Sequence, residues 1–282
     1  METYKTISSL KQAINNKKAA GKTIGFVPTM GALHAGHISL IDESKKQTDV
    51  TVVSIFVNPT QFNDSKDLEN YPRTIKSDIQ KLENVKADIL FLPDVKEIYP
   101  EPDTRQFDFG KLDKVMEGRF RKGHFNGVAQ VVSKLFDIVE PNKAFFGQKD
   151  FQQYVIIKTL ASKYMAEYNI DIVRCPIIRE KDGLAMSSRN LLLLDEQRKN
   201  ANVIYKTLKK AKENYSGKSV EEIKKFVIKE INKNPFLEVE YFSIVDDVNL
   251  EEIKEMTEEK NKVGCIAVYC GKIRLIDNIY FD

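Results

Sequence analysis

Two of the three histidines in this chain lie three residues apart in the segment GFVPTMGALHAGHISLI, residues 25–41. His34 and His37 fall between an apolar run and a segment of helical spacing, which predicts a turn from a strand into a helix. Gly31 and Gly36 permit a tight turn and a close approach of the backbone to a ligand. The first turn of a helix offers unpaired N–H groups and a positive dipole end, and an imidazole can donate a further hydrogen bond. The segment therefore predicts a phosphate site that both histidines face.

Two other interpretations of this histidine pair stay open at this point. Histidines at i and i+3 can ligate a metal, but His124 is the only other histidine, and neither a cysteine nor a Glu-rich cluster stands near the pair. A metal site is therefore disfavoured. The two rings can also simply cap the helix, although two glycines and two histidines at one turn are more than capping needs.

A second set of phosphate donors occurs in the segment MSSRN, residues 186–190. Ser187 and Ser188 supply hydroxyl groups, and the planar guanidinium of Arg189 can bind two phosphate oxygens at once. A polar segment of this kind is more often only a loop, so its meaning depends on where the fold places it.

Two further segments carry polar groups after apolar runs. In FGQKD, Gly147 allows close approach, Lys149 supplies a point charge, and Asp150 can accept from ribose hydroxyls or cap a helix. In NPTQF, Asn58 and Gln61 are uncharged groups that suit a polar substrate.

The elements that must position these groups follow from the periodicity of the chain. Over the first two thirds, apolar β-branched runs alternate with amphipathic segments of helical spacing. This alternation predicts an α/β fold, a Rossmann-like parallel sheet with helices on both faces. Ligands of such sheets bind beyond the carboxyl ends of the strands, where PTMGALHAGH, NPTQF and FGQKD all fall. We therefore expect these loops to converge on one crevice.

The pattern changes near Ile178. Helical segments over residues 195–214 and 219–232 precede three strand-like runs, VEYFSIV, VGCIAVYC and KIRLIDNIYF, which predict a small antiparallel sheet. We expect a Rossmann-like ligand-binding domain over residues 1–177. A smaller C-terminal α+β domain over residues 178–282 would close over the site, with the polar loop between them as the join.

Composition restricts the class of protein. The 282 residues are 42% apolar and 30% charged, as in a globular protein with a real core, and the net charge of +3 gives no reason to expect nucleic acid. The chain has no apolar run of 18 residues and no signal-like N-terminus, so neither a membrane span nor secretion is expected. Its three cysteines form no CxxC and predict reduced thiols in a cytoplasmic protein.

The strings PTMGALHAGH, SIFVNPTQF, NYPR, FGQKDFQQ and REKDGLAMSSRN occur in this order. Together they resemble the pantothenate synthetase family (pantoate–β-alanine ligases). More broadly, HxGH followed by a late SSR-type loop resembles the HxGH nucleotidyltransferase superfamily, which has a Rossmann-like core. The likeness runs from about Thr23 to Asn190, whereas the C-terminal third carries little diagnostic sequence.

This resemblance implies an ATP-dependent, AMP-forming ligase that works in two steps. The carboxylate of (R)-pantoate attacks the α-phosphorus of ATP, which gives pantoyl adenylate and pyrophosphate. The amine of β-alanine then attacks the acyl carbon, which gives (R)-pantothenate and releases AMP. The resemblance also implies a homodimer, and we expect Mg²⁺ to arrive on the triphosphate rather than in a protein cage.

Family roles carry over to the matching residues. The residues expected to act in catalysis are His34, His37, Lys149, Ser187, Ser188 and Arg189, with His37 as the family's proton donor. Those expected to bind ATP are Met30, Gly31, Ala32, Leu33, His34, Ala35, Gly36, His37, Gly147, Gln148, Lys149, Asp150, Ile178, Met186, Ser187, Ser188 and Arg189. Gln61, Gln153 and Asn58 are expected to bind the substrates, with the two glutamines holding pantoate and Gln61 also near β-alanine. Because pyrophosphate is a good leaving group, we hypothesise that His37 donates a hydrogen bond rather than a proton.

Two alternatives to the ligase remain. One is another adenylyl-transferring enzyme of the same superfamily, and the other is a catalytically silent ATP-binding module. The silent module is disfavoured because the histidine pair, Lys149 and the SSR segment are all present. A P-loop GxxxxGK[ST], a GxSxG elbow and a GxGxxG after the first strand do not occur, which argues against the nucleotide and nucleophile sites that those motifs mark.

Overall fold

The computed structural model describes residues 1–62 and 65–281. The larger part of the molecule is built around a six-stranded parallel sheet. The strands are β1 (Glu2–Tyr4), β2 (Ile24–Thr29), β3 (Val50–Ile55), β4 (Ile89–Phe91), β5 (Lys143–Gly147) and β6 (Asp171–Cys175). They lie in the order β1-β4-β3-β2-β5-β6, and each neighbouring pair is parallel. From β2 the chain runs outward through β3 and β4 and then returns to β5 on the other side of β2. The strand order therefore reverses between β2 and β5.

Eight α-helices accompany this sheet in the part of the chain that is described. They are α1 (Ile7–Ala19), α2 (Ala35–Gln47), α3 (Ser65–Asn70), α4 (Ile75–Asn84), α5 (Val95–Ile98), α6 (Met116–Phe120), α7 (His124–Val139) and α8 (Phe151–Tyr164). Consecutive residues of β2 pack on opposite faces of the sheet. Phe26 packs with α1, α7 and α8, whereas Val27 packs with α2 and α4. The expected arrangement of helices on both faces is therefore confirmed.

The C-terminal part has its own sheet and core. Strands β7 (Leu237–Asp246), β8 (Lys262–Cys270) and β9 (Ile273–Tyr280) are antiparallel in the order β7-β8-β9. Helices α9 (Asp195–Ala201), α10 (Val203–Glu213) and α11 (Val220–Asn232) pack on this sheet through a separate apolar cluster. The predicted α+β architecture of this region is confirmed, while the domain boundary at residue 178 stays a prediction.

Some expectations about single elements were wrong or incomplete. The segment predicted as one helix over residues 195–214 is two helices that are separated by Asn202. Strand β1 and helices α3, α5 and α6 were not predicted, because three to six residues are too few to show a period. Among the described residues, none of the helices is long and apolar enough to cross a membrane.

The two parts touch along α6 and α8. Met116, Phe151 and Val155 form one buried cluster with Val245 and Val263 of the smaller sheet. This contact brings β9 beside the loop that follows β5, which matters for the site described next.

Candidate active site

A cavity of about 210 Å³ opens beyond the carboxyl ends of β2 and β5, where the strand order reverses. This is the position at which open α/β sheets bind ligands. Of the residues expected from sequence, the structure brings these to its wall: Met30, His34, Gly36, His37, Asn58, Gln61, Gly147, Lys149, Asp150, Gln153, Ile178, Met186, Ser187, Ser188 and Arg189. The loops after β2, β3 and β5 thus converge on one cavity as expected, together with residues 186–189.

Five residues expected at the nucleotide lie beside the cavity rather than on its wall. Gly31, Ala32 and Leu33 form the turn before α2, and Ala35 is the first residue of that helix. The side chain of Gln148 points to Asn278. Their roles in ATP binding stay predictions.

The histidine pair caps helix α2 in a specific way. The Nδ1 atom of His34 accepts from the backbone N–H of Gly36 at 3.1 Å, and the Nδ1 atom of His37 accepts from the backbone N–H of His34 at 3.3 Å. A nitrogen that accepts carries no proton, so each neutral ring holds its proton on Nε2. Both capping and a donor role are therefore possible at once.

Burial keeps both rings neutral. It lowers the pKa of His34 to about 4 and that of His37 to about 3, and the ammonium of Lys149 acts in the same direction on each ring. At neutral pH the pair therefore offers hydrogen-bond donors without positive charge.

Glycine is required at position 36 by this arrangement. A Cβ atom there would lie 2.8 Å from Cε1 of His34, closer than real contacts allow. A side chain at this position would displace the ring that caps the helix.

The turn before the histidines is held by helix α4. Gly31 and Ala32 both have positive φ, of 79° and 49°. The carboxylate of Asp78 accepts from the backbone N–H groups of Ala32 at 2.9 Å and Leu33 at 2.8 Å, and the ammonium of Lys81 donates to the Leu33 carbonyl at 2.6 Å. Asp78 is fully buried, so this turn is fixed by a desolvated carboxylate.

Gln61 is oriented by its neighbours. Asn58 Nδ2 donates to Gln61 Oε1 at 3.1 Å and to the Gly127 carbonyl at 3.1 Å, while Asn58 Oδ1 accepts from the hydroxyl of Tyr99 at 2.9 Å. The Nε2 atom of Gln61 lies 3.0 Å from the sulfur of Met30. The hydrogen bonds of Asn58 described here all go to protein groups, and one of them sets the orientation of the Gln61 amide.

The MSSRN segment, residues 186–190, leads into a 3₁₀ turn over Ser188–Leu192 beside the cavity. Ser187 Oγ accepts from the backbone N–H of Arg189 at 3.3 Å, and Ser188 Oγ lies 3.5 Å from the hydroxyl of Tyr71. Asn190 ties the segment down by donating to the Ala185 carbonyl at 3.0 Å. These bonds hold the backbone of the segment, and residues 187–189 lie on the wall of the cavity.

Several contributors were not anticipated. Tyr71 lines the cavity, as do Val128, Val131 and Leu135 of α7. Tyr71 belongs to the string NYPR, to which the sequence assigned no role in the site. The apolar face of α7 was visible in the sequence as a helix period, which reports burial and not which ligand lies beyond it.

The site and the fold match known proteins along almost the whole chain. The profile of the family described as pantoate-beta-alanine ligase matches residues 2–280. A pantothenate synthetase from Porphyromonas gingivalis is 51% identical over 282 residues, with 100% of each chain covered. A crystal structure of pantothenate synthetase from Thermus thermophilus superposes with a TM-score of 0.91 at 37% identity, covering 99% of both chains.

A third relative carries ligands. The pantoate-beta-alanine ligase from Francisella tularensis, solved in complex with beta-gamma ATP and beta-alanine, superposes with a TM-score of 0.81 at 37% identity and covers 99% of this chain and 97% of its own. Sequence identity, coverage and fold agree, and the chain therefore belongs to the pantoate-beta-alanine ligase family.

Proposed function

We propose that the family's reaction takes place in the cavity beyond β2 and β5, with the residue roles described below. The reaction condenses (R)-pantoate with β-alanine at the expense of ATP and yields (R)-pantothenate, AMP and diphosphate through pantoyl adenylate. The observation that carries the assignment is convergence: the histidine pair, Lys149 and residues 187–189 share one cavity with Gln61 and Gln153.

The phosphate end of ATP is assigned to the donor-rich side of the cavity. His34 and His37 present Nε2–H groups, Lys149 adds a positive charge, and residues 187–189 add hydroxyl and guanidinium donors. Adenylation needs little covalent help from a protein, but it needs in-line placement and donors for the charge on the phosphate oxygens.

Pantoate is assigned to the side lined by α7. Gln61 and Gln153 offer amides for its hydroxyl and carboxylate groups, and Val128, Val131 and Leu135 form an apolar wall suited to its two methyl groups. Because Asn58 already fixes the Gln61 amide, pantoate meets a preorganised partner. Asn58 then acts on the substrate through Gln61.

The cavity wall also fits Mg²⁺ that arrives bound to the ATP substrate. Asp150 supplies a carboxylate on the cavity wall, and it lies 3.6 Å from the Lys149 ammonium. A cation held by substrate phosphates and one carboxylate is usual for Mg²⁺, and when bound it neutralises charge on the departing pyrophosphate. Among the described residues no group of three His, Cys, Asp or Glu side chains forms a separate cage.

Three broader assignments complete the proposal. Cys175, Cys265 and Cys270 are free and buried, which supports a reducing, cytoplasmic setting. The C-terminal part over residues 178–282 closes over the cavity and protects the acyl adenylate from water. We also propose a homodimer, which light scattering on the purified protein would test.

A pyrophosphate-release assay tests the function directly. With ATP, Mg²⁺ and (R)-pantoate, we expect at most a single burst of release without β-alanine and sustained turnover with it. Lys149→Ala should lower the rate of release by about 100-fold, as the loss of one well-placed charge donor does elsewhere. Sustained release without β-alanine would mean that the adenylyl group passes to pantoate and leaves as product, which would favour the alternative, an adenylyl transferase that needs no amine.

A further inference from the structure

Strand β9 of the smaller sheet reaches the loop that carries Lys149. Asn278 is 2% exposed, and its Nδ2 donates to the carbonyl oxygens of Gln148 at 2.8 Å and Lys149 at 3.1 Å. Its Oδ1 accepts from Nε2 of Gln148 at 3.1 Å. One buried amide therefore fixes two consecutive carbonyl groups of the loop, and with them the direction in which the Lys149 side chain leaves the backbone.

Asn278 is itself anchored by the residue before it. The Asp277 carboxylate accepts from the Arg179 guanidinium at 2.6 and 2.9 Å and from the backbone N–H of Asn278 at 2.8 Å. Arg179 also donates to the Gly183 carbonyl at 3.2 Å, within the segment that leads to Ser187. Neighbouring residues of β9 thus hold both the Lys149 loop and the residues that lead into the MSSRN segment.

The loop after β5 has few restraints of its own. Gln148–Asp150 is a single 3₁₀ turn whose first residue is preceded by Gly147, and neither that turn nor the start of α8 has a side-chain cap. A Cβ atom at Gly147 would meet nothing within 4 Å among the described residues. Packing at Gly147 therefore does not fix the loop, and the hydrogen bonds from β9 supply a specific restraint.

We propose that Asn278 is a positioning residue for adenylation, which holds Lys149 toward the phosphate-binding side of the cavity. The inference rests on the proposed role of Lys149. The Coulomb energy between an ammonium and a phosphate falls as their distance grows. A displaced loop therefore lowers the stabilisation of the transition state more than it lowers the stability of the fold. The smaller sheet thereby contributes to the chemistry without touching the substrate.

A double-mutant cycle in single-turnover adenylation tests this inference. We expect Asn278→Ala to lower the rate constant about 10- to 100-fold. The KM for pantoate should change by less than about twofold, because the bonds to pantoate stay in place. In a Lys149→Ala background the same change should have almost no effect, because the ammonium to be positioned is gone. Asn278→Asp, which keeps the size and the acceptor but loses the donor, should behave like Asn278→Ala.

A control variant separates positioning from loss of stability. Asn234 accepts from the backbone N–H of Phe236 at 3.0 Å and donates to Asn200 at 2.8 Å, and it is not part of the cavity wall. Asn234→Ala should lower the melting temperature without slowing adenylation. Two results would overturn the role of Asn278 but leave that of Lys149 intact. One is equal slowing by Asn278→Ala with and without Lys149, and the other is a wild-type rate in both Asn278 variants. Wild-type adenylation by Lys149→Ala would overturn the role of Lys149 as well.

Discussion

At His37 the capping bond decides what chemistry the ring can perform. Its Nδ1 is occupied as an acceptor for the His34 backbone, and burial lowers its pKa to about 3. At pH 7 the ring is then almost entirely neutral, and protonation at Nδ1 would break the cap. A proton donor is a poor description of such a group, whereas an Nε2–H hydrogen-bond donor fits it.

Substituting His37 distinguishes these roles. His37→Ala should slow single-turnover adenylation by about 10²- to 10³-fold through loss of one donor to the developing charge. His37→Gln places an amide N–H in the same region and should recover part of that loss. The wild-type rate should show no titration attributable to His37 between pH 5 and 8. If glutamine recovers nothing over alanine, donation by hydrogen bond is the wrong explanation.

Helix α4 acts on the site as an element, through one turn of its surface. Asp78 and Lys81 lie at i and i+3 and together make three hydrogen bonds to the turn at Ala32 and Leu33. That turn has left-handed backbone at a non-glycine residue, which costs free energy unless its surroundings hold it. The position of the histidines therefore depends on a helix that does not line the cavity.

Asp78→Asn tests this dependence. The amide keeps one acceptor but turns a donor toward a backbone N–H, so we expect a loss of about 1–3 kcal/mol in unfolding free energy and slower adenylation. Urea unfolding and single-turnover kinetics measure the two effects.

The matched control for Asp78→Asn lies at the opposite end of the sheet. The carboxylate of Asp88 also accepts a backbone N–H, from Thr51 at 2.8 Å, at the amino end of β3. Asp88→Asn should cost stability alone. Unchanged adenylation in Asp78→Asn would show that the turn holds its shape without the clamp.

The sequence predicted those elements whose period is long enough to read. The alternation that predicted β2, α2, β3 and β5 also placed their loops at one sheet edge, so the position of the site followed from periodicity. The Asp78 clamp could not be predicted, because its partners lie 45 and 46 residues away and an aspartate in an amphipathic helix is ordinary. The same holds for Asn278, which contacts Lys149 across 129 residues.

On the scale of the whole molecule, buried polar contacts join the parallel-sheet part to the C-terminal part. Besides the bonds of Asn278, the Arg274 guanidinium of β9 makes two hydrogen bonds of 2.7 Å to the carboxylate of Glu117 in α6, which also accepts from the hydroxyl of Tyr241 at 2.8 Å. These contacts lower the pKa of Glu117 against the opposing effect of burial. Because a buried pair is costly when one partner is lost, the two parts are expected to unfold together.

All three histidines of the chain are neutral in the fold, which predicts how stability depends on pH. Burial lowers the pKa to about 4 at His34, about 3 at His37 and about 4 at His124. In the unfolded chain each should titrate near 6.5, so between about pH 4 and 6.5 the unfolded state binds more protons. The stabilising contribution is therefore complete above pH 6.5 and is lost as the pH falls toward 4. The slope approaches about 1.4 kcal/mol per pH unit for each histidine.

Urea unfolding at several pH values between 5 and 7 measures this slope. The window lies above the range in which most carboxylates titrate, so the histidines dominate it. Replacing His34 and His37 with glutamine removes two of the three titrating groups and should leave about a third of the slope. A slope that stays unchanged in the double variant would mean that the two rings are not held neutral by the fold, and the assignment of the pair as uncharged donors would fail with it.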